Sequence, residues 1–180
     1  MGKPKVATVW CEGCAGCHMS FLDLDEALLD VLSKIELTVT PITDFKNYAF
    51  PLLDLGIVEG GIGNEEQVEI VRHMREKSRI IMAWGDCAVF GGVNTLRNHI
   101  PVKDLLRYGY TQTAGTINGV IPIHAELPLL LEKVLPLNGV IAVDCYIPGC
   151  PPSPEAIAYG LTEILNGRVP VLPRELIHYD

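Results

Sequence analysis

The sequence has no excess of positive charge. Lys and Arg number 14 against 22 Asp and Glu, a net charge of −8. Nucleic acid and anionic membrane surfaces both call for the opposite balance, so neither partner is expected. Charge of either sign is sparse, at 20% of residues against ~25% in an ordinary soluble domain. Long apolar runs are missing too. The most apolar stretches are interrupted by Pro122, His124, Glu126 and Pro128, and none reaches the ~20 residues of a membrane span. Lys3 and Lys5 precede an apolar run of residues 6–10 that Cys11 and Glu12 end. That is too short for the core of a secretion signal, and no twin-arginine pair is present. A cytoplasmic protein is expected. There are no repeats and no low-complexity tracts.

What is present is a chain of 180 residues that is 48% hydrophobic. One domain, residues 1–180, is expected, large enough to bury a core without staples. So apolar a composition also points to a surface covered by a partner.

Residues 5–10 read as a short buried strand, and residues 37–42, 53–58, 79–84 and 140–146 as further strands. Phe21, Leu24, Leu28, Val31, Leu32 and Ile35 recur at helical spacing, with Ser20 as the expected cap and Asp23 three residues on. Asn64 is placed to cap a second helix whose inner stripe is Val68, Val71 and Met74, with Arg75 and Lys77 in its last turn. Short helices are expected over residues 102–107 and 127–135. Ser153-Pro154-Glu155 opens a last helix that ends at Asn166-Gly167. Strands alternating with helices give an α/β fold, a flavodoxin-like open parallel sheet with helices on both faces. No G-x-G-x-x-G follows the first strand, so a dinucleotide fold is not indicated.

Six cysteines remain: Cys11, Cys14, Cys17, Cys87, Cys145 and Cys150. A disulfide framework does not suit a cytoplasmic domain of this size. Cys11, Cys14 and Cys17 follow the carboxyl end of the first strand. Cys87 follows the strand ending at Trp84, and Cys150 lies beyond the strand ending near Tyr146. The carboxyl ends of parallel strands share one edge, so three remote loops should bring sulfur to one place. Cys145 sits in an apolar strand and reads as a small core residue.

Zinc and iron-sulfur clusters both take four sulfurs. Paired C-x-x-C knuckles are absent, so a zinc staple is the weaker reading. Small, flexible loops surround the cysteines, with Ala15, Gly16, Gly85, Gly91, Gly92 and Gly149, and Pro151 follows Cys150. Such loops let backbone N–H groups approach sulfide. One 4Fe-4S cluster is therefore expected. Spacing alone leaves open which two of Cys11, Cys14 and Cys17 contribute. FMN at the same sheet edge is a second reading, though no motif carries it.

Four stretches then act together. They are Gly13-Cys14-Ala15-Gly16-Cys17-His18-Met19-Ser20-Phe21-Leu22-Asp23, Val58-Glu59-Gly60, Gly85-Asp86-Cys87-Ala88-Val89-Phe90-Gly91-Gly92 and Pro148-Gly149-Cys150-Pro151-Pro152-Ser153-Pro154-Glu155. In this order they resemble the small (delta) subunit of cytoplasmic NAD-reducing nickel-iron hydrogenases, over residues 6–167. The resemblance implies that Cys14, Cys17, Cys87 and Cys150 hold the proximal 4Fe-4S cluster and that Cys11 is a free thiol beside it. It implies a large subunit carrying the nickel-iron centre, and diaphorase subunits carrying FMN, further iron-sulfur clusters and NAD. Related acceptor systems using NADP, deazaflavin or polysulfide are the alternatives. Longer members of the family have a C-terminal extension with more clusters. No cysteine follows Cys150 here, so a single cluster is expected, with electrons passing directly to another protein. A respiratory complex I subunit shares the Pro-Gly-Cys-Pro-Pro-x-Pro-Glu stretch, but it has adjacent cysteines where this chain has Cys14-Ala15-Gly16-Cys17.

Around those cysteines, Glu59 is expected beside the cluster as an acceptor for a cysteine-loop N–H or as part of a proton path. His18 could hydrogen-bond a cluster sulfur or a partner. Glu12 is a weaker candidate, and Asp86 is expected to cap its own loop. His73, His99, His124 and His178 show no ligand spacing. Residues 80–101 carry only Asp86 and Arg97 as charged groups, and residues 140–154 only Asp144. So charge-poor a sheet edge predicts an apolar partner interface, and an isolated chain that aggregates or loses iron.

Overall fold

The computed structural model describes residues 2–44 and 48–177. The strand β1 (Lys5–Trp10) is followed by two short helices, α1 (Gly16–Leu22) and α2 (Glu26–Lys34). Then come β2 (Glu36–Val39), β3 (Leu53–Glu59), β4 (Ile62–Asn64), α3 (Glu65–Lys77), β5 (Ser78–Trp84) and α4 (Gly85–Phe90). A 3-10 helix at Gly92–His99 leads to α5 (Val102–Arg107), β6 (Leu130–Leu135), β7 (Cys145–Ile147) and α6 (Pro154–Leu165). Five strands form a parallel sheet in the order β2-β1-β3-β5-β7. This is the expected flavodoxin-like open parallel sheet.

Alternation along the strands sorts the core into two layers. Met82 and Trp84 of β5 pack with Phe21 of α1 and Ile157 and Leu161 of α6. Ile81 and Ala83 of the same strand pack with Val71 and Met74 of α3 and Ala88 of α4. Helices therefore cover both faces. Asn64 caps α3 as expected, its side chain accepting the Gln67 N–H at 2.9 Å. Ser153 caps α6 by accepting from Ala156 N–H at 3.2 Å. Cys145 is a buried core residue, as read from its strand.

Several expectations need correction. One helix over residues 21–35 is two, broken at Asp23-Leu24-Asp25. Ser20 caps neither of them. It lies buried inside α1, which starts earlier because Ala15 takes a left-handed conformation (φ 63°) and turns the chain straight into helix. Residues 130–135 form a strand, not a helix. β6 pairs antiparallel with β4, a small second sheet that local pattern does not announce. An apolar run between Pro128 and Pro136 suits either element, and the partner strand lies far away in sequence. The last strand is only Cys145–Ile147, shorter than residues 140–146. Cys87 sits within α4 rather than in a loop.

Candidate iron-sulfur site

The carboxyl edge of the sheet gathers the predicted cysteines. Cys14, Cys17, Cys87 and Cys150 line one cavity of about 70 Å³, together with Gly16, Glu59, Asp86, Gly149 and Pro151. Cys14 and Cys150 are exposed, whereas Cys17 is buried and Cys87 half-buried. Cys11 does not line this cavity. It packs with the second core layer, and burial, then the nearby Glu12 and Glu59 carboxylates, push its thiol up to about 12. Burial and then Glu59 raise Cys17 as well. Cys87 is raised by burial and by Cys150 and Cys14, partly offset by a backbone N–H from Val93. The raised thiols keep their protons in the metal-free chain, so binding a metal there releases protons.

Hydrogen bonds tie the contributing loops together. Ser20 of α1 donates to the Pro152 carbonyl at 2.6 Å. Asp86 of α4 bonds Gly149 twice. Its carboxylate accepts the Gly149 N–H at 2.8 Å, and its own N–H donates to the Gly149 carbonyl at 3.0 Å. Asp86 therefore braces the Cys150 loop across the site and does not cap its own. The N-terminal amides of α1 have no local side-chain cap. Glu59, at the end of β3, serves from a distance: it accepts the Cys17 N–H at 3.3 Å and the His18 N–H at 3.0 Å. This is the cysteine-loop bond expected of Glu59.

His18 does not point to a sulfur. Its ring is fully buried, hydrogen-bonded to Glu59 through Nδ1, with Nε2 2.9 Å from the Thr8 hydroxyl. Trp10 and Trp84 meet the ring edge-on, with centroids at 5.5 and 5.8 Å. Both tryptophans are register partners of Glu59, in β1 and β5. Sequence reading missed Thr8 and Thr40 and misread the roles of Ser20 and Asp86. The one available signal was Thr8, a hydroxyl in an otherwise apolar strand. Glu12 pairs with Arg97 at 3.6 Å and does not line the thiol cavity. His178 lies outside the described residues.

The residues fit a sulfur-ligated cluster. Glycine keeps space open at the sulfurs. A Cβ on Gly85 would meet Cys17 Sγ at 2.2 Å, and one on Gly92 would meet Cys87 Sγ at 2.8 Å. Among the described residues, no three Cys, His, Asp or Glu side chains are spaced to grip a single ion. Four sulfur donors on one cavity are the donor set that an iron-sulfur cluster takes. At about 70 Å³ the cavity is far below the ~300–1,000 Å³ of drug-sized ligand pockets.

The chain is similar to known proteins along nearly its whole length. The family model described as NADH ubiquinone oxidoreductase, 20 Kd subunit, matches residues 14–164. The NAD-reducing hydrogenase HoxS subunit delta of Cupriavidus necator is 42% identical over 99% of this chain and 87% of its own length. A subunit of the vhu F420-non-reducing hydrogenase of Methanocaldococcus jannaschii is 41% identical over 96% of this chain, which spans 60% of that relative. Among solved structures, a chain of an NAD+-reducing [NiFe]-hydrogenase in the H2-reduced state superposes with a TM-score of 0.95. It is 39% identical, over 99% of this chain and 100% of that one. A [NiFeSe]-hydrogenase chain from Dm. baculatum, 18% identical with a TM-score of 0.62 over 98% of this chain and 69% of that one, shares the fold. With the cysteine loops gathered at the sheet edge, these matches show that the chain belongs to the 20 Kd subunit family, among the small (delta) subunits of NAD-reducing nickel-iron hydrogenases.

Proposed function

We propose that this chain, one iron-sulfur-binding domain, carries electrons within a nickel-iron hydrogenase through one 4Fe-4S cluster held by Cys14, Cys17, Cys87 and Cys150. The observation that carries the reading is four thiols from three sheet-edge segments on a single cavity. When bound, such a group stores and passes one electron at a time. The chain's own residues fix where that happens. Glu59 holds the Cys17 backbone, Asp86 holds the Cys150 loop, and glycines admit the sulfurs. Thiol ligands and nearby N–H groups set the potential; the protein positions and tunes.

The chain supplies no catalytic residue. Hydrogen is split at a nickel-iron centre on the large subunit, and electrons pass on to diaphorase subunits carrying FMN, further clusters and NAD. Likeness to the Cupriavidus necator delta subunit, NAD-reducing by name, supports that acceptor. Likeness to the F420-non-reducing subunits makes a different acceptor the alternative. The rim near the cysteines supports a covering partner: Met19, Leu22, Phe90, Val93 and Leu96 are exposed. Among the described residues no helix is long and apolar enough to cross a membrane.

The test is anaerobic purification of the native complex, with nickel and iron analysis, identification of the accompanying chains, and Mössbauer spectroscopy. Serine exchange at each of the four cysteines should abolish the cluster signal and H2-dependent NAD reduction. A wild-type complex without the signal, or serine variants that oxidise H2 normally, would overturn the proposal.

A further inference from the structure

A polar thread crosses the apolar core behind the thiol cavity. Thr8 of β1 and Thr40, just past β2, are joined hydroxyl to hydroxyl at 2.8 Å. The Thr8 oxygen lies 2.9 Å from Nε2 of His18. His18 Nδ1 is bonded to Glu59, and Glu59 accepts the Cys17 and His18 amides at 3.3 and 3.0 Å. All four residues are buried, none more than 2% exposed. A core at this depth is most simply built from Val at positions 8 and 40, because buried hydroxyls add desolvation cost that only their hydrogen bonds offset. The thread is fully satisfied: among the described residues no buried side-chain nitrogen or oxygen lacks a partner. Each link fixes a different freedom of the next. Trp10 and Trp84 confine the His18 ring from the sides. The Thr8 hydroxyl then fixes the rotation of that ring, and the ring fixes the carboxylate.

We propose that the Thr8–Thr40 hydroxyl pair is a positioning device for the Cys17 thiolate, acting through the His18 ring and the Glu59 carboxylate. The inference rests on the reading of Cys17 as a cluster ligand. Neither threonine lines the cavity, so both act at a distance. Without the Thr8 hydroxyl the buried His18 Nε2 has no partner. The ring turns to find one, Glu59 follows it, and the amides at the start of α1 loosen together with the sulfur beyond them. Cys14 and Cys150 are untouched by this route.

The test compares Thr8→Val and Thr40→Val, which keep the shape and remove a hydroxyl, with Thr8→Ser, which keeps the hydroxyl. In the full metal-free chain, amide hydrogen exchange at Cys17 and His18 should speed about tenfold in the Val variants. Val9 and Met82 in the same sheet should keep wild-type rates, and Thr8→Ser should restore Cys17 and His18. In the loaded complex, the midpoint potential of the cluster should shift in the Val variants and return in Thr8→Ser. Unchanged exchange at Cys17 and His18 would overturn the inference. So would an equal acceleration across the whole sheet, the mark of a merely structural role. If Thr8→Val does not fold, Thr40→Val, one link farther out, is read in the same way. A wild-type complex without a 4Fe-4S signal would refute the cluster reading while leaving the amide result standing, so the two failures are told apart.

Discussion

Replacing Gly85 by Ala separates the cost of backbone strain from loss of the site. Gly85 has φ +77° and its added Cβ would meet Cys17 Sγ at 2.2 Å. Gly167 has nearly the same φ, +74°, with nothing within 4 Å. Both substitutions place an L side chain in the left-handed region, at a cost of ~1–2 kcal/mol. Only the first also displaces a sulfur, which must retreat from 2.2 Å to at least 3.4 Å for ordinary contact. In the metal-free chain a turn about χ1 of Cys17 relieves that clash, so urea denaturation should show similar losses for the two variants. Iron held by Cys17, as proposed, would forbid the turn, and sites of this kind tolerate misplacement of only ~0.5 Å. Reconstitution should therefore load Gly167→Ala fully and Gly85→Ala poorly, read as iron per chain and cluster absorption. Equal iron loading with identical spectra would refute the reasoning.

Asp86→Ala should leave the Gly149 N–H without its acceptor and loosen the Cys150 loop, lowering stability by ~1–3 kcal/mol; iron release to a chelator should quicken, and an unchanged release rate would remove the bracing role. The metal-free chain should lose stability as pH rises above about 9. Burial, then Asp144, lifts Cys145 to about 12, and Cys11 is lifted to about 12 as well. The folded state therefore keeps protons that the unfolded chain releases from about pH 9 upward. The stabilisation is complete below the unfolded value and is lost as pH climbs through the folded one. Denaturation midpoints across pH 8–11 check this, and Cys145→Ala should flatten the slope.

The parallel strands were legible because each is a short apolar run closed by turn residues, as at residues 5–10 and 53–58. The caps at Asn64 and Ser153 were legible because a cap is a local device. The gathering of the cysteines followed from topology, since parallel strands put their carboxyl ends on one side. What escaped were contacts between distant segments: β4 with β6, Ser20 with Pro152, Asp86 with Gly149, and Thr8 with Thr40. The break between α1 and α2 escaped for the opposite reason, because apolar periodicity runs on through Asp23-Leu24-Asp25 although the backbone does not.

Trp10, Glu59 and Trp84 stand side by side across three neighbouring strands, each the register partner of the next. Sliding β3 by one position would bring Val58 or Gly60 into that row and throw the acid to the opposite face of the sheet. The chain thus cannot misalign its central strand and still present an acceptor to the Cys17 amide. On the proposed cluster reading, iron uptake should therefore report on whether the sheet has closed in the right register.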